Sequence, residues 1–311
     1  MLKMPGKGFG DRIGVYLRYM FPPFPRLVSA ALLSGSFTVL LARIHGVPVP
    51  FVTPLALLGV WNVFALLLVL RLMDELKDRE IDLALFKERP LPSGRVRESD
   101  IRASLAVVIV LYLGANAVTR PTLLAAVVVL GYALLMFKYF FFPDYLRAHL
   151  LPNLASHNPI VALLLLQIVV LFSVQTGLRL TDINWVPVLL AVAMNWAMFF
   201  AWEISRKIRA REEEDAYVTY SRIFGRVGAA AVTGGAQTVT LLLGLRFSAE
   251  LELAWVAPVL LAAGYLVTLG ALLRFVVRPN RVSSKLRPFA EAYILSVLLA
   301  ILAGGLLARP L

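Results

Sequence analysis

The chain has 311 residues, of which 59% are hydrophobic and only 16% charged, and its mean hydropathy is +0.79; soluble domains average about 25% charged residues, so an ordinary soluble protein is excluded. The net charge of +12 does not point to nucleic acid, because the basic residues fall between apolar runs. With no Cys, disulfides, thiolate chemistry and Cys metal sites are excluded as well, and the three His (His45, His149 and His157) include no pair at metal-ligand spacing, which argues against a His-based zinc centre.

Residues 1–26 alternate basic and aromatic residues ahead of a Pro-rich break. They read as a cytoplasmic, interfacial amphipathic segment; the alternative is that Arg18 or Arg26 reaches an anionic ligand. The first long apolar run begins near Arg26 and is long enough to remain a span, so no cleavable signal is expected. Residues 27–311 read as one transmembrane domain of about nine spans, near 27–44, 51–73, 102–119, 121–142, 151–177, 184–205, 227–246, 253–275 and 289–308. Each has about the 17–25 residues needed to cross. Lipid requires every backbone polar group to be satisfied internally, so these are helices. The expected fold is an all-α integral membrane bundle. With a cytoplasmic N-terminus, Arg43, Arg120, Arg179, Arg246 and Arg309 fall outside and every other Lys and Arg falls inside. That is the positive-inside pattern, and it predicts a multi-pass protein of the cell (inner) membrane.

Two cytoplasmic loops stand out, at about 74–101 and 203–226. Both open with acidic residues on a helix end. Both close with Gly-Arg-Val, at Gly94-Arg95-Val96 and Gly225-Arg226-Val227, a weak sign of internal duplication. In the first loop, a helix turning about 100° per residue would gather Glu75, Asp82, Asp78 and Asp74 within about 100° of arc. Such a cluster repels itself unless cations neutralise it, and an all-oxygen set suits a hard cation such as Mg²⁺. Lys77, Arg79, Lys87, Arg89, Arg95 and Arg97 surround it, and acid beside base points to metal and phosphate together. The plain alternative is a solvated loop after a span. Arg89-Pro90-Leu91-Pro92-Ser93-Gly94 follows, where two prolines and a glycine fix a turn able to return Arg89, Ser93 and Arg95 to the acids.

This stretch resembles the UbiA-type membrane prenyltransferases, whose signature is N-D-x-x-D-x-x-x-D followed at fixed distance by R-P-[IL]-P-S-G. Asp78, Asp82 and the turn 89–94 fall at the family spacing, while Asp74 stands where Asn is usual and Glu75 where Asp is usual. The nine expected spans match the family. The resemblance implies Mg²⁺ at Asp74, Glu75, Asp78 and Asp82, and a prenyl diphosphate held by Arg89, Arg95 and Lys138.

A second, weaker motif runs from Glu203 to Glu214 and closes with Tyr217 to Gly225. Glu203 resembles the first carboxylate of the family's second cluster, but Ala210 stands where relatives often have Asp. Arg206 and Lys207 share the helical face. The implied second metal site is weakened, with Arg206 and Lys207 contacting diphosphate in place of an ion. Alternatively Glu212, Glu213 or Glu214 folds back as a ligand, or the charges simply mark the membrane boundary. Asn62, Asn195, Asn153 and His157 are candidate polar residues of a cavity; interhelical hydrogen bonding is the plainer reading for the two span asparagines.

The implied activity is transfer of an isoprenyl group from an allylic prenyl diphosphate to a hydrophobic or aromatic acceptor, at a site facing the cytoplasm, with Asp78, Asp82 and Glu203 as catalytic carboxylates. A terpene cyclase on the same fold is the nearest alternative. A cation or lipid transporter is a third reading, disfavoured because the acids gather at one mouth.

Overall fold

The computed structural model describes residues 8–50, 52–214 and 219–310, and every regular element among them is a helix. The chain forms two compact units, residues 1–34 with 51–143 and residues 35–50 with 144–311. The division falls inside the stretch expected as one domain. Eight helices among the described residues are long and apolar enough to cross a membrane.

Unit one holds α1 (Phe9–Met20), the start of α2 (Pro23–His45), α3 (Pro54–Lys77), α4 (Arg79–Leu85), α5 (Glu98–Asn116) and α6 (Arg120–Phe137). Thr53 caps α3, its hydroxyl accepting from the Ala56 amide at 3.0 Å, and Pro54 follows where no N–H is needed. Thr119 and Pro121 repeat the device at α6. The expected span at 102–119 is α5, a 19-residue helix whose first five residues include Glu98, Asp100 and Arg102. It packs against α1, α3 and α6. Asn62 of α3 and Asn116 of α5 are fully buried and exchange amide hydrogen bonds of 3.0 and 2.6 Å. Asn62 is therefore committed to joining two helices, as the plainer reading has it.

Past α7 (Pro143–Ala148), unit two holds α8 (Leu150–His157), α9 (Ile160–Thr176), α10 (Trp185–Ser205), α11 (Tyr220–Glu250), α12 (Val256–Val277) and α13 (Arg287–Leu307). The expected span 151–177 is split between α8 and α9 at Asn158-Pro159, because a proline has no N–H to continue the helical ladder. α11 packs between α10 and α12, and α12 packs on α13. Ile204, Ile208, Tyr220, Phe275 and Leu286 form a core with Ala229, Ala230 and Ala271, small residues that let helix backbones approach. Near its start α11 breaks at Gly225, with φ +69 and ψ 168. Gly94 of the other Gly-Arg-Val has φ +74. Both copies of the tripeptide thus place glycine where side chains are strained.

Candidate functional site

The acidic stretch does not lie on one continuous helix. α3 ends at Lys77, Asp78 caps it at φ −98, ψ 14, and α4 resumes at Arg79. Asp74 and Glu75 ride on α3 and Asp82 on α4, so the expected single face is broken at its middle. One-turn backbone hydrogen bonds continue across this point, from the Asp78 amide to the Asp74 carbonyl at 2.8 Å and from the Asp82 amide to the Asp78 carbonyl at 2.9 Å.

Glu75 has a completely buried side chain and pairs through Oε1 with Arg71, one turn earlier on α3. Its Oε2 is buried without a hydrogen-bond partner, as is Nε of Arg71. Asp82, also buried, accepts from Nη1 of Arg89 at 2.7 and 2.8 Å. The turn carrying Arg89 is closed by the Ser93 amide on the Arg89 carbonyl at 3.0 Å and the Gly94 amide on the Leu91 carbonyl at 3.1 Å. The guanidinium also lies 3.9 Å from the Phe86 ring centre. Of the turn's expected contacts, Arg89 reaches the acids. Arg95 is exposed and bonds to the Ser93 hydroxyl at 3.0 Å and to the Glu88 carbonyl. Among the described residues, no group of three or more His, Asp or Glu side chains is gathered as metal ligands.

Two further contacts surround this stretch. Arg12 of α1 makes a two-pronged ion pair with Asp100 of α5 at 2.6 and 2.7 Å. Asp100 stands ahead of the apolar part of α5, and this guanidinium, aided by the Arg97 amide, holds its carboxyl below the usual carboxylate range. Lys77 places its ammonium 3.9 Å from the ring centre of Tyr139. Tyr139, Phe140 and Phe141 all take positive φ, at 50°, 50° and 67°; for L-residues the left-handed region costs roughly 1–2 kcal/mol each. Lys138, just before them, is exposed and 5.5 Å from the Phe137 ring centre.

In unit two, Glu203 accepts from Arg206 at 2.5 and 2.8 Å and lies 3.4 Å from Lys207 Nζ. One carboxylate is thus balanced by two cations. The three following glutamates are engaged elsewhere: Glu212 accepts from the Arg281 amide, Glu213 from the Ser284 hydroxyl and the Ala210 amide, and Glu214 from the hydroxyls of Thr219 and Ser221. Ala210 is buried. Tyr217 lies outside the described residues. Asn195 is buried and donates to the Ala191 carbonyl of its own helix at 3.0 Å, an intrahelical bond rather than the interhelical one expected. Asn153 donates to the Leu146 carbonyl at 3.2 Å, and His157 Nδ1 lies 2.9 Å from the Asn153 carbonyl.

Arg71, Arg12 and Asp100 were not among the expected residues. The Arg71–Glu75 pair has the i,i+4 spacing that marks a helical ion pair. Nothing local signals a pairing 88 positions apart or a left-handed turn without glycine.

No protein-family model matches the chain, and no curated protein matches it in sequence. Solved structures do. A UbiA homologue from Aeropyrum pernix K1 superimposes with a TM-score of 0.66 at 19% identity, covering 88% of this chain and 96% of that one. A structure described for digeranylgeranylglyceryl phosphate synthase in membranes gives 0.63 at 17% identity, over 95% and 99%. A UbiA homologue from Archaeoglobus fulgidus, bound to GPP and Mg²⁺, gives 0.54 at 15%, over 92% and 99%. The chain has the UbiA-type fold, that of a multi-pass membrane protein.

Proposed function

We propose that this chain is an intramembrane prenyltransferase, moving an isoprenyl group from an allylic prenyl diphosphate to a hydrophobic or aromatic acceptor. The observation that carries the reading is Glu75: a fully buried carboxylate with an unpartnered oxygen, beside Asp74, Asp78 and the Arg89-paired Asp82. A buried carboxylate oxygen left alone is costly and calls for a cation. Asp74, Glu75, Asp78 and Asp82 offer only oxygen donors, the kind Mg²⁺ takes, and these side chains would have to draw together from their positions in this structure to ligate one ion; a homologue of the same fold binds GPP with Mg²⁺. Asp74, Glu75, Asp78 and Asp82 would hold the ion, which supplies charge neutralisation at a leaving diphosphate.

The chain's own cations do the rest. In unit one, Arg89, Arg95 and Lys138 are the proposed diphosphate contacts, favouring the charge that builds on its oxygens as the C–O bond breaks; in unit two, Arg206 and Lys207 are the second motif's own proposed diphosphate contacts. The allylic carbon then bonds to the acceptor, whose displaced proton passes to a carboxylate, with Asp78, Asp82 and Glu203 the candidates, or to the departed diphosphate. Glu203 is balanced by Arg206 and Lys207, which favours direct cation contact over a second metal ion in that motif. The proposed orientation puts the N-terminus and these loops in the cytoplasm of a cell with the protein in its inner membrane.

The test incubates purified protein with Mg²⁺, prenyl diphosphates of several lengths and a mixed acceptor panel, and measures diphosphate release and product mass. Prenylated acceptor is expected. Cyclised product formed without acceptor replaces this reading with a cyclase. No diphosphate release from any prenyl donor sinks both.

A further inference from the structure

The ion pairs of this chain differ in how completely they close. Arg12 meets Asp100 with two nitrogens on two oxygens, and Arg206 meets Glu203 the same way. That fork is the geometry that satisfies both partners of an arginine–carboxylate pair. Arg71 meets Glu75 through Nη2 on Oε1, and the second prong is missing: Oε2 of Glu75 and Nε of Arg71 are both buried without a hydrogen-bond partner. The glutamate side chain is fully buried, so bulk solvent does not reach that oxygen. The charges near enough to act on Glu75 are Arg71, Asp82, Arg89 and Asp74, and both of these aspartates belong to the acidic motif.

α1 borders Arg71 from the other side. The hydroxyl of Tyr16, a fully buried residue, lies 3.5 Å from the Arg71 carbonyl oxygen, and Met20 Sδ lies 4.0 Å from Nη2. Arg12, Tyr16 and Met20 recur every four residues and so share one face of α1, the face that Arg12 anchors to Asp100.

We propose that Arg71 is the positioning residue of Glu75: it fixes the carboxylate through Oε1 and leaves Oε2 to a divalent cation held with the acidic motif. A hydrogen bond to a ligating carboxylate orients it, and losing such a partner costs about 10–100-fold in metal affinity. The inference rests on the Mg²⁺ reading of the motif given above.

The test is Mn²⁺ binding to the full chain in detergent micelles, read from the loss of the free-ion electron paramagnetic resonance signal. Wild type is expected to bind saturably. Arg71→Met should raise Kd about tenfold. Arg71→Lys keeps the charge and can replace a single-pronged contact, so it should stay within about threefold. Glu75→Gln should raise Kd by at least about tenfold, and R71M/E75Q should bind no more weakly than E75Q, because Arg71 acts through Glu75. R71M leaves a buried carboxylate unanswered; if it does not fold, Arg71→Gln, neutral and shorter, takes its place and should raise Kd about fivefold. Neutral Arg71 variants that bind as wild type does make the pair a structural one, which overturns the inference and leaves the metal reading standing. Tighter binding makes Arg71 a competitor of the ion and overturns it too. Absence of saturable Mn²⁺ binding to wild type removes the ion from the motif and this inference with it.

Discussion

Arg12 and Asp100, 88 positions apart, meet through two guanidinium–carboxylate hydrogen bonds of 2.6 and 2.7 Å and tie α1 to α5. The pair is a fixed charge contact between the amphipathic N-terminal helix and α5. It gives the N-terminal helix a docked position.

That pair carries a pH signature. The Asp100 carboxyl is held below its ordinary range by Arg12, so its unfolded value, about 3.9, exceeds its folded one. The stabilisation is complete above the unfolded value and is lost as pH falls through the folded value. Thermal unfolding in detergent should show wild type losing stability below about pH 4. Asp100→Asn should start about 2–5 °C lower at pH 7 and lose less on acidification; an unchanged pH profile in that variant removes Asp100 as the source.

Asn62 and Asn116 satisfy each other inside unit one. Asn62→Ala leaves the Asn116 amide short of a partner at a buried position and should cost about 1–2 kcal/mol. N62L/N116L removes both polar groups and should recover part of the loss. A double-mutant cycle read by denaturant unfolding checks this; strictly additive single effects contradict the pairing.

Asp82, which is buried, pairs with the half-buried Arg89 in the proposed metal site. Asp78→Ala and Asp82→Ala should each lower Mg²⁺-dependent diphosphate release by at least about a hundredfold. Arg89→Met strands Asp82 as a buried charge, so it should lower thermal stability as well as turnover. Wild-type activity in either aspartate variant would remove that residue from the site.

Ala210, where the family resemblance leads one to expect Asp, has a buried side chain and an amide committed to Glu213. Ala210→Asp should therefore destabilise unit two by desolvating a carboxylate, not build a second metal site. A lower melting temperature with the same Mg²⁺ dependence is expected. A variant that is as stable as wild type and responds to lower Mg²⁺ concentrations contradicts this.

The spans were legible because each is a long apolar run closed by a local signal. Thr53-Pro54 and Thr119-Arg120-Pro121 mark helix starts through side-chain caps and a missing N–H, and those signals need no distant partner. The Arg89–Gly94 turn was legible for the same reason, and it delivers Arg89 to Asp82 as its spacing promised. The break at Asp78 was missed because it is confined to the dihedrals of one residue, φ −98 and ψ 14, with no proline or glycine to announce it. The turn at Tyr139 was missed because its positive φ values occur in a stretch of Tyr and Phe with no glycine to announce them.

By itself, then, the sequence determined an all-helical membrane chain, the approximate places of its apolar helices, and an acidic motif followed by a Pro-rich turn. Backbone hydrogen bonding in lipid and capping are local demands, met within a few residues. The tertiary structure decided that Arg12 answers Asp100, 88 positions away, whereas Arg71 with Glu75 and Arg206 and Lys207 with Glu203 lie three or four residues apart in the chain. Pairing between distant segments depends on separation in space and on burial, and neither is written in the order of the residues.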